Sequence, residues 1–426
     1  MSGFAKYDYV DGNLLCEGVP LADIAKKQGT PFYVYSHTAL EEQYRHFDDA
    51  FKGVSHLICF SMKANSNAAI LKTFFNLGGG ADVVSGGELR RALKAGCDPQ
   101  KTVFSGVGKT SEEIHLALGE GILQFNVESE QELANIQRIA AFLDKRAPIA
   151  IRVNPDVDPK THPYISTGLK QNKFGVSQQK ALEMYHQARS MSHIDLVGID
   201  CHIGSQLTDV TPFTDALKKV RELVNTLKDQ GVFLRNIDIG GGLGIRYKDE
   251  AVKTPEEYAA AVLKPIEDLG LRVILEPGRF LVGNAGALVT KVIYTKENDD
   301  GHKFTIIDAA FNDLMRPALY DAYHEILPVQ RKDDRKQIVT DIVGPICETG
   351  DTFSKGRTLQ QTAPGELLAI MSAGAYGMSM ASTYNSRGRC SEILVKDRQY
   401  YVVRKPERLE DIMGKEDLPE FLKDKG

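Results

Sequence analysis

The amino-acid sequence predicts an α/β protein in which a (β/α)8 barrel is followed by a C-terminal all-β domain. Between residues 57 and 278, short apolar runs alternate with segments of helical periodicity, a pattern typical of parallel strands joined by helices. Eight β-then-α units over roughly 250 residues match a (β/α)8 barrel in number and in length. After about residue 285 the long helical segments stop, and one strand-like run follows another.

The eight predicted barrel strands begin near residues 57, 81, 102, 124, 149, 196, 236 and 272, with the sequences LICFSM, ADVVS, TVFS, QFNV, IAIRVN, LVGID, NIDI and RVIL. The helices between them have well-marked ends. Ser129 with Glu132 has the pattern of a capping box, and Thr254-Pro255 followed by two glutamates places a cap and a first-turn proline at a helix start. Left-handed glycines are expected to end helices at Gly96, Gly121, Gly231 and Gly270.

The β domain is predicted from the runs ALVTKVIYTK, KFTIID, QIVTDIV, ELLAIM and EILVKDRQYYVVRK, the last as a hairpin that turns at residues 396–399. Residues 11–19 are also strand-like and precede the barrel, so we expect the N-terminal segment to pair with this domain. The predicted domains are therefore residues 1–30 for the N-terminal segment, 31–284 for the barrel and 285–426 for the β domain.

Composition narrows the class of protein. The chain has 426 residues, of which 42% are hydrophobic and 26% charged, with a net charge of −5. This near balance gives no indication of a nucleic-acid partner or of an anionic membrane surface. Six scattered cysteines without a Cys-x-x-Cys pair argue against a disulfide framework and a zinc knuckle. No apolar run is long enough to span a bilayer and the N-terminus lacks a signal-peptide core, so we expect a cytoplasmic protein without a metal.

Residues with possible chemistry follow four of the predicted barrel strands, at the ends where such barrels keep their active sites. Lys63 follows the first strand, and partial burial there would lower the pKa of its amine and favour Schiff-base chemistry. A surface lysine at a strand end is the alternative. His202 could stack on a flat ring and Ser205 could bind phosphate, although a lone histidine at a strand end is more often a structural donor.

Two further strand ends complete this set. Backbone N–H groups could approach a phosphate at Gly240, Gly241 and Gly242, although a glycine run also makes a simple tight turn. The run Glu276, Pro277, Gly278 and Arg279 offers a carboxylate that would keep a pyridine nitrogen protonated, beside a guanidinium that binds carboxylate or phosphate. A buried ion pair is the alternative for Glu276 and Arg279. Together the four strand ends indicate a phosphate-bearing pyridine aldehyde cofactor.

The β domain contributes less specific candidates. The Cys347 thiol could protonate a carbanion and the adjacent Glu348 could recognise an amine, although an isolated cysteine usually has no such role. Tyr376 is amphipathic and can form a hydrogen bond, but by itself it indicates little.

The motifs SMKAN, CHIGS, DIGGGLG, EPGR, MRPALY, GPICETGD and AGAYGMSMASTYNSR occur in this order. With them the chain, from about residue 10 to 405, resembles the diaminopimelate decarboxylases, of the alanine-racemase-fold (fold type III) group of pyridoxal-phosphate enzymes. The resemblance implies a carboxy-lyase that uses pyridoxal 5'-phosphate to convert meso-2,6-diaminopimelate into L-lysine and CO2, the last step of lysine biosynthesis.

The resemblance also implies a role for each candidate residue. Lys63 would bind the cofactor covalently, His202 would stack on its ring and Glu276 would meet its pyridine nitrogen. The phosphate would be held by Ser205, Gly240, Gly241, Gly242, Glu276, Pro277, Gly278 and Arg279. Substrate carboxylates would be bound by Arg279, Arg316 and Tyr320. Glu348 would bind the distant amino group, Cys347 would donate a proton, and Tyr376 would touch both cofactor and substrate. A homodimer is implied, with Cys347 and Glu348 of the partner subunit completing each site.

Several alternatives remain open. Decarboxylases of ornithine, arginine or carboxynorspermidine share this cofactor and barrel, but Arg316 favours a substrate with a second carboxylate. Racemases of this fold place an arginine at the pyridine nitrogen, so Glu276 disfavours them. A non-catalytic relative is a third possibility, although Lys63 and Cys347 are both present. One departure is visible: the family commonly has Asn-Ser-Arg-Pro-Arg where this chain has Gly388 in the proline position.

Overall fold

The computed structural model describes residues 6–157, 172–332 and 334–423. The described residues belong to two compact units, a β unit formed by Met1–Ser36 with Gly286–Gly426 and a barrel unit formed by His37–Ala285. Within this part of the chain, no helix combines the length and the apolar character needed to cross a membrane.

The strands in chain order are β1 (Tyr7–Val10), β2 (Asn13–Cys16), β3 (Val19–Pro20), β4 (Phe32–Ser36), β5 (His56–Ser61), β6 (Gly80–Val83), β7 (Thr102–Phe104), β8 (Gln124–Val127), β9 (Ala147–Arg152), β10 (Ile194–Asp200), β11 (Asn236–Asp238), β12 (Arg272–Leu275), β13 (Gly286–Glu297), β14 (Lys303–Ile307), β15 (Ile326–Pro328), β16 (Gln337–Val343), β17 (Thr352–Gln360), β18 (Leu367–Ile370), β19 (Ser391–Lys396) and β20 (Gln399–Arg404).

The α-helices are α1 (Leu21–Gln28), α2 (His37–Ala50), α3 (Ala68–Asn76), α4 (Gly86–Lys94), α5 (Ser111–Glu120), α6 (Glu130–Phe142), α7 (Gln178–Arg189), α8 (Thr211–Asp229), α9 (Pro255–Leu263), α10 (Arg279–Val282), α11 (Arg316–Tyr320) and α12 (Leu409–Met413).

Strands β5 to β12 form a closed parallel barrel in chain order, with β12 paired to β5. Each of the eight predicted runs contributes one strand, so the predicted (β/α)8 barrel is confirmed. The strands are almost wholly buried because helices cover the outside of the barrel and side chains fill the inside. The filling includes an apolar cluster of Leu57, Cys59, Val103 and Ile274.

The predicted helix ends are mostly confirmed. Thr254 and Glu257 form a complete capping box at the start of α9. At α6, Ser129 accepts a hydrogen bond from the Glu132 N–H, but the Glu132 carboxylate binds the Glu128 N–H and Lys109 instead of the Ser129 N–H. The reciprocal half of that predicted capping box is therefore wrong. The four predicted helix-ending glycines all have positive φ, at Gly96, Gly121, Gly231 and Gly270.

The β unit contains a mixed sheet with the strand order β17-β16-β14-β13-β4-β19-β20, and β18 pairs with both β13 and β15. The predicted hairpin β19–β20 turns through Asp397 and Arg398, which have φ of 49° and 62°. Strand β4 pairs with β13 and β19 in this sheet, although we predicted its residues to lie in the barrel domain. Strands β15 and β17 are not among the predicted runs.

The N-terminal strands β1 to β3 form a small antiparallel sheet of their own. Its connection to the rest of the β unit includes the Leu14 N–H donating to the Val329 carbonyl at 2.8 Å and the Arg331 N–H donating to the Gly12 carbonyl at 2.7 Å. The compact units divide the chain after Ser36 and before Gly286. The functional domain boundaries drawn from the sequence stay predictions.

Candidate active site

Lys63 and Glu276 lie at the same end of the barrel, where β5, β6 and β12 finish. The Lys63 Nζ is 3.1 Å from Asp82 Oδ2, and Asp82 is fully buried on β6. Ser61 connects the two residues, because its Oγ lies 2.7 Å from Asp82 Oδ2 and 2.9 Å from the Glu276 carbonyl oxygen. The parallel barrel thus brings together an amine and a carboxyl group that are 213 residues apart in the sequence.

Glu276 is buried among other acidic groups. Its Oε1 accepts long hydrogen bonds of 3.4 Å from Asn126 and Ser105. Burial raises the pKa of Glu276 well above its ordinary value, and the negative charge of the nearby Asp238 adds to this effect. The positive charge of Lys63 opposes it. Glu276 therefore retains a proton more readily than an exposed glutamate does.

Asp238, whose negative charge acts on Glu276, is held by hydrogen bonds of its own. It accepts the Gly240 N–H at 3.0 Å and the Asn126 side-chain amide at 3.2 Å. Burial raises the pKa of Asp238 to about 6, and these hydrogen bonds limit the rise. Asp238 and Glu276 are thus neighbouring buried carboxyls, and burial makes both of them harder to ionise.

The glycine run lies between His202 and the Glu276 segment. A Cβ at Gly240 would fall 2.2 Å from His202 Nδ1, and one at Gly241 would fall 2.2 Å from the Glu276 carbonyl oxygen. Gly240 also has φ of +66°. Both its left-handed backbone and the close approach of His202 therefore favour glycine at this position. Two of the three N–H groups expected at a phosphate donate within the protein, from Gly240 to Asp238 and from Gly241 to His202.

The His202 ring is fixed in one orientation and one tautomer. Its Nδ1 accepts the Gly241 N–H at 3.1 Å, so the ring is neutral with its proton on Nε2. Burial, with smaller contributions from the positive charges of Arg152 and Lys63, lowers the pKa of His202 well below its usual value. A neutral, immobile ring at this position is suited to stacking against a flat ligand.

Arg279 is buried at the start of the short helix α10. Its guanidinium donates to the Tyr247 hydroxyl at 2.7 Å and to Ser205 Oγ at 3.1 Å. Ser205 and Arg279, which were predicted separately as phosphate ligands, are therefore in contact. In the same segment, the Pro277 carbonyl accepts the Ser61 N–H, and a Cβ at Gly278 would lie 3.0 Å from those of Ala64 and Ser61.

These residues fit the pyridine aldehyde cofactor that the sequence indicated. The glycine run lets His202 and the Glu276 segment approach its backbone closely, and Arg279 with Ser205 supplies charged and polar donors for a phosphate. Lys63 supplies the amine, and Glu276 supplies an acid for the ring nitrogen. Among the described residues, no group of three or more histidine, cysteine, aspartate and glutamate side chains is arranged to hold a metal.

In the β unit, Arg316 is buried and held by a histidine. Its guanidinium donates to His324 Nε2 at 2.9 Å, and His324 Nδ1 in turn donates to the Met371 carbonyl at 2.8 Å. This arrangement fixes a neutral His324 and orients Arg316 before any ligand binds. Tyr320 is half-buried at the end of the same helix, α11.

Cys347 and Glu348 are both exposed, in a turn between β16 and β17. The turn is held by Asp351, whose buried carboxylate accepts the Ile346 N–H and the Phe311 N–H, each at 2.7 Å. Cys347 is the exposed one of the six cysteines, and the other five are buried. The backbone of the turn is therefore fixed while its two reactive side chains point outward.

Tyr376 has φ of +55°, in the left-handed region that few non-glycine residues occupy. Strain of this kind is often found at functional positions, which agrees with the role expected for Tyr376.

The structure explains why this chain has Gly388 where the family commonly has proline. A Cβ there would lie 2.5 Å from the Glu407 carbonyl oxygen, so this chain needs a glycine for that close approach.

Sequence reasoning missed several residues of these sites. Asp82, Asn126 and Asp238 lie within strands, where they looked like single polar residues in apolar runs. A charged or amide residue inside a strand predicted to be buried is the signal that could have found them. Arg152 was also missed; it lies on β9, 3.2 Å from Glu128 and 3.7 Å from Asp200.

Comparison with known proteins decides the family. Residues 37–283 match the family model described as pyridoxal-dependent decarboxylase, pyridoxal binding domain. A diaminopimelate decarboxylase of Neisseria meningitidis serogroup B is 52% identical over 403 residues, which are 95% of this chain and 97% of that protein. The chain belongs to the diaminopimelate decarboxylase family. The predicted family and enzyme class, a carboxy-lyase, are therefore confirmed.

Solved structures of the family have the same fold. The diaminopimelate decarboxylase of M. jannaschii in complex with L-lysine has a TM-score of 0.94 and 40% identity, covering 99% of this chain and 100% of that one. The Helicobacter pylori enzyme, also complexed with L-lysine, has a TM-score of 0.89 and 44% identity, covering 92% of this chain and 98% of that one. The family fold thus extends across nearly the whole sequence.

Proposed function

We propose that this chain binds pyridoxal 5'-phosphate through Lys63 and removes one carboxyl group of meso-2,6-diaminopimelate. The products are L-lysine and CO2, and the reaction is the last step of lysine biosynthesis. The observation that carries the proposal is the meeting of Lys63, the buried Glu276 and the glycine run at one end of the barrel. The L-lysine bound in two related structures supports the choice of product.

The cofactor, when bound, supplies the electron sink that stabilises the carbanion left after CO2 departs. Glu276 would hold the proton on the pyridine nitrogen. The buried Glu276 carboxyl, whose pKa is raised by burial, would share a proton with the ring nitrogen and so keep that nitrogen protonated. His202 would stack on the ring in its fixed neutral state. Ser205, Arg279 and the glycine run would hold the phosphate.

The substrate carries two carboxylates and two amino groups, so it needs more than one charged partner. Arg279, Arg316 and Tyr320 would bind the carboxylates, and the guanidinium of Arg316 is already oriented by His324. Glu348 would bind the amino group distant from the reacting carbon. Cys347 would donate a proton to that carbon after CO2 loss, and Tyr376 would contact both cofactor and substrate.

The proposal includes a homodimer in which Cys347 and Glu348 of the partner subunit complete each site. The exposure of both side chains in the single chain supports this arrangement, because a proton donor and an ammonium ligand work best where water is excluded. We also propose a cytoplasmic location, which suits a biosynthetic enzyme with six unpaired cysteines.

Replacing Lys63 by alanine tests the proposal. Purified Lys63→Ala should lose the visible absorbance of bound cofactor and should release no CO2 from meso-diaminopimelate, because no amine remains to capture the aldehyde. Lys94→Ala, at an exposed position on α4, is the matched control and should retain both. Ornithine and arginine tested in parallel should give little CO2 with the unmodified enzyme. Retention of absorbance and CO2 release in Lys63→Ala would overturn the assignment.

A further inference from the structure

Tyr384, a residue with no role so far, contacts the proposed amine ligand. Its hydroxyl donates a hydrogen bond to Glu348 Oε1, and both residues belong to the β unit. Tyr384 is 44% exposed, so burial alone does not explain this tyrosine. An exposed glutamate without such a donor would sample several rotamers, and the hydrogen bond selects one of them.

The position of Tyr384 is itself fixed by its surroundings. Its ring packs on Phe311, with centroids 5.6 Å apart and planes inclined by 30°. Two residues before it, Ser382 exchanges hydrogen bonds with the fully buried Asn312, at 2.9 Å and 3.2 Å. The two residues after it, Asn385 and Ser386, both have φ of 54°. Consecutive left-handed residues are costly, so this turn directly after Tyr384 is a strained segment.

The backbone that carries Glu348 is constrained separately. Asp351 accepts the Ile346 N–H, and the Asp351 N–H donates to the Glu348 carbonyl at 3.0 Å. A Cβ at Gly344 would lie 2.2 Å from Asp351 Oδ2, so the turn closes tightly around that carboxylate. Asp351 therefore fixes the main chain of the turn, and the hydroxyl of Tyr384 orients the Glu348 side chain.

We propose that Tyr384 is a positioning residue that holds the Glu348 carboxylate ready for the distal ammonium group of the substrate. This inference rests on the proposed function, in which Glu348 binds that ammonium. The preference for a substrate with an amino group at its far end then depends on two side chains. Glu348 supplies the charge and Tyr384 supplies its direction.

The consequence is a specific kinetic pattern. Tyr384→Phe keeps the ring on Phe311 and removes only the hydroxyl, so the Glu348 carboxylate keeps its charge and loses its fixed direction. The distal ammonium is equally distant from the reacting carbon before and during CO2 loss, so the lost interaction weakens both states alike. We expect the KM for meso-diaminopimelate to rise about tenfold while kcat stays within about twofold.

The experiment compares four variants of the full-length holoenzyme: Tyr384→Phe, Glu348→Gln, the double variant and Tyr401→Phe. Tyr401 is an exposed tyrosine whose hydroxyl bonds to Gln399 in the β19–β20 hairpin, so Tyr401→Phe is the matched control. Measurements are kcat and KM for meso-diaminopimelate, Tm, and the visible absorbance of bound cofactor. We expect Tyr384→Phe and Glu348→Gln to raise KM, with Tm and absorbance unchanged. The double variant should be no worse than Glu348→Gln, because the two residues act as one unit.

The outcomes separate the two proposals. If Glu348→Gln raises KM and Tyr384→Phe behaves like Tyr401→Phe, the positioning role is wrong and the proposed function stands. If the effects of Tyr384→Phe and Glu348→Gln on KM multiply in the double variant, Tyr384 does not act through Glu348 and the inference is also wrong. If neither variant changes KM, Glu348 does not bind the substrate. The proposed role of Glu348 and the positioning role of Tyr384 are then both wrong. If Tm drops in Tyr384→Phe without a change in KM, the residue has only a structural role.

Discussion

The barrel-end residues and the turn that carries Cys347 and Glu348 are built in opposite ways. Lys63 is paired with Asp82, and Asp82, Asp238 and Glu276 are buried and connected to one another through hydrogen bonds of Ser61 and Asn126. Cys347 and Glu348 are exposed, on a turn whose backbone is anchored by the buried Asp351. Burial raises the pKa of Asp238 and of Glu276, whereas Cys347 and Glu348 lie exposed in the β unit.

This difference separates two kinds of chemistry. A cofactor site needs fixed charges and must exist before the substrate arrives, which favours a buried and fully bonded group. The proposed proton donor and ammonium ligand must instead be delivered to a site that excludes water, which an exposed turn on a rigid base can do. The comparison predicts that substitutions at the barrel end change the state of the bound cofactor, and that those in the turn change turnover or substrate binding alone.

At the barrel end, Glu276→Gln should have the largest effect. The amide has nearly the same shape and can still accept from Asn126, but it cannot give a proton to the ring nitrogen or remain there as a counter-charge. We expect kcat to fall about a thousandfold, which corresponds to about 4 kcal/mol of lost transition-state stabilisation. Steady-state CO2 release measures the fall in kcat. The visible spectrum of the bound cofactor shows whether the state of its ring has changed.

The matched control is Glu267→Gln, at an exposed position beyond α9, which should be indistinguishable from the unmodified enzyme. A Glu276→Gln enzyme with kcat within tenfold of the unmodified value would show that the buried acid group is structural. The barrel-end acids would then resemble the exposed turn in having no influence on the state of the bound cofactor.

Asp238→Asn should change how stability depends on pH. The folded-state pKa of Asp238 is raised by burial from 3.8 to about 6, so between these values the folded chain binds more protons than the unfolded chain. The free energy of unfolding must then fall as pH rises through this window. Removing the ionisable group removes that fall, and the asparagine Oδ1 can still accept the Gly240 N–H.

Urea unfolding of the cofactor-free protein at pH 4, 5, 6 and 7 measures this effect. The curve of unfolding free energy against pH should descend less steeply for Asp238→Asn than for the unmodified chain. Asp229→Asn, at the exposed end of α8, should run parallel to the unmodified chain. Parallel curves for all three proteins would mean that Asp238 ionises normally in the folded state.

The barrel could be predicted from sequence because its signals are local. Each strand is an apolar run, and each of the five residues Lys63, His202, Ser205, Gly240 and Glu276 lies within five residues of a strand end in the sequence itself. The parallel order of the barrel then brings these ends together without further information. Helix caps at Thr254 and the glycine ends were predictable for the same reason, since they depend on neighbouring residues.

The parts that could not be predicted depend on contacts between distant residues. Strand β4 pairs with β13 and β19, which lie more than 240 residues later, and nothing in the local run FYVYS indicates these partners. Asp82 and Asp238 stand out in the sequence as acids inside apolar strands, but their partners follow only from barrel closure, which places them against Lys63 and Glu276. Likewise, the hydrogen bond from Tyr384 to Glu348 follows from the folding of two separate turns of the β unit.

Mixing two inactive variants tests whether the exposed turn serves a second subunit. Lys63→Ala lacks the amine and Cys347→Ala lacks the proposed proton donor, so each homodimer should be inactive or nearly so. If each site combines Lys63 of one chain with Cys347 of the partner subunit, a hybrid dimer has one intact site and one doubly altered site. After dissociation and reassociation of an equal mixture, half of the dimers are hybrids, so activity should return to about a quarter of the unmodified value.

The control for this experiment mixes Lys63→Ala with Lys63→Ala/Cys347→Ala, which should restore nothing because no Lys63 is present. If the first mixture also stays inactive although mass spectrometry detects hybrids, Lys63 and Cys347 serve the same site from one chain. The exposure of Cys347 would then need an explanation within the single subunit, and the contrast between a buried cofactor site and a turn delivered to a partner would no longer hold.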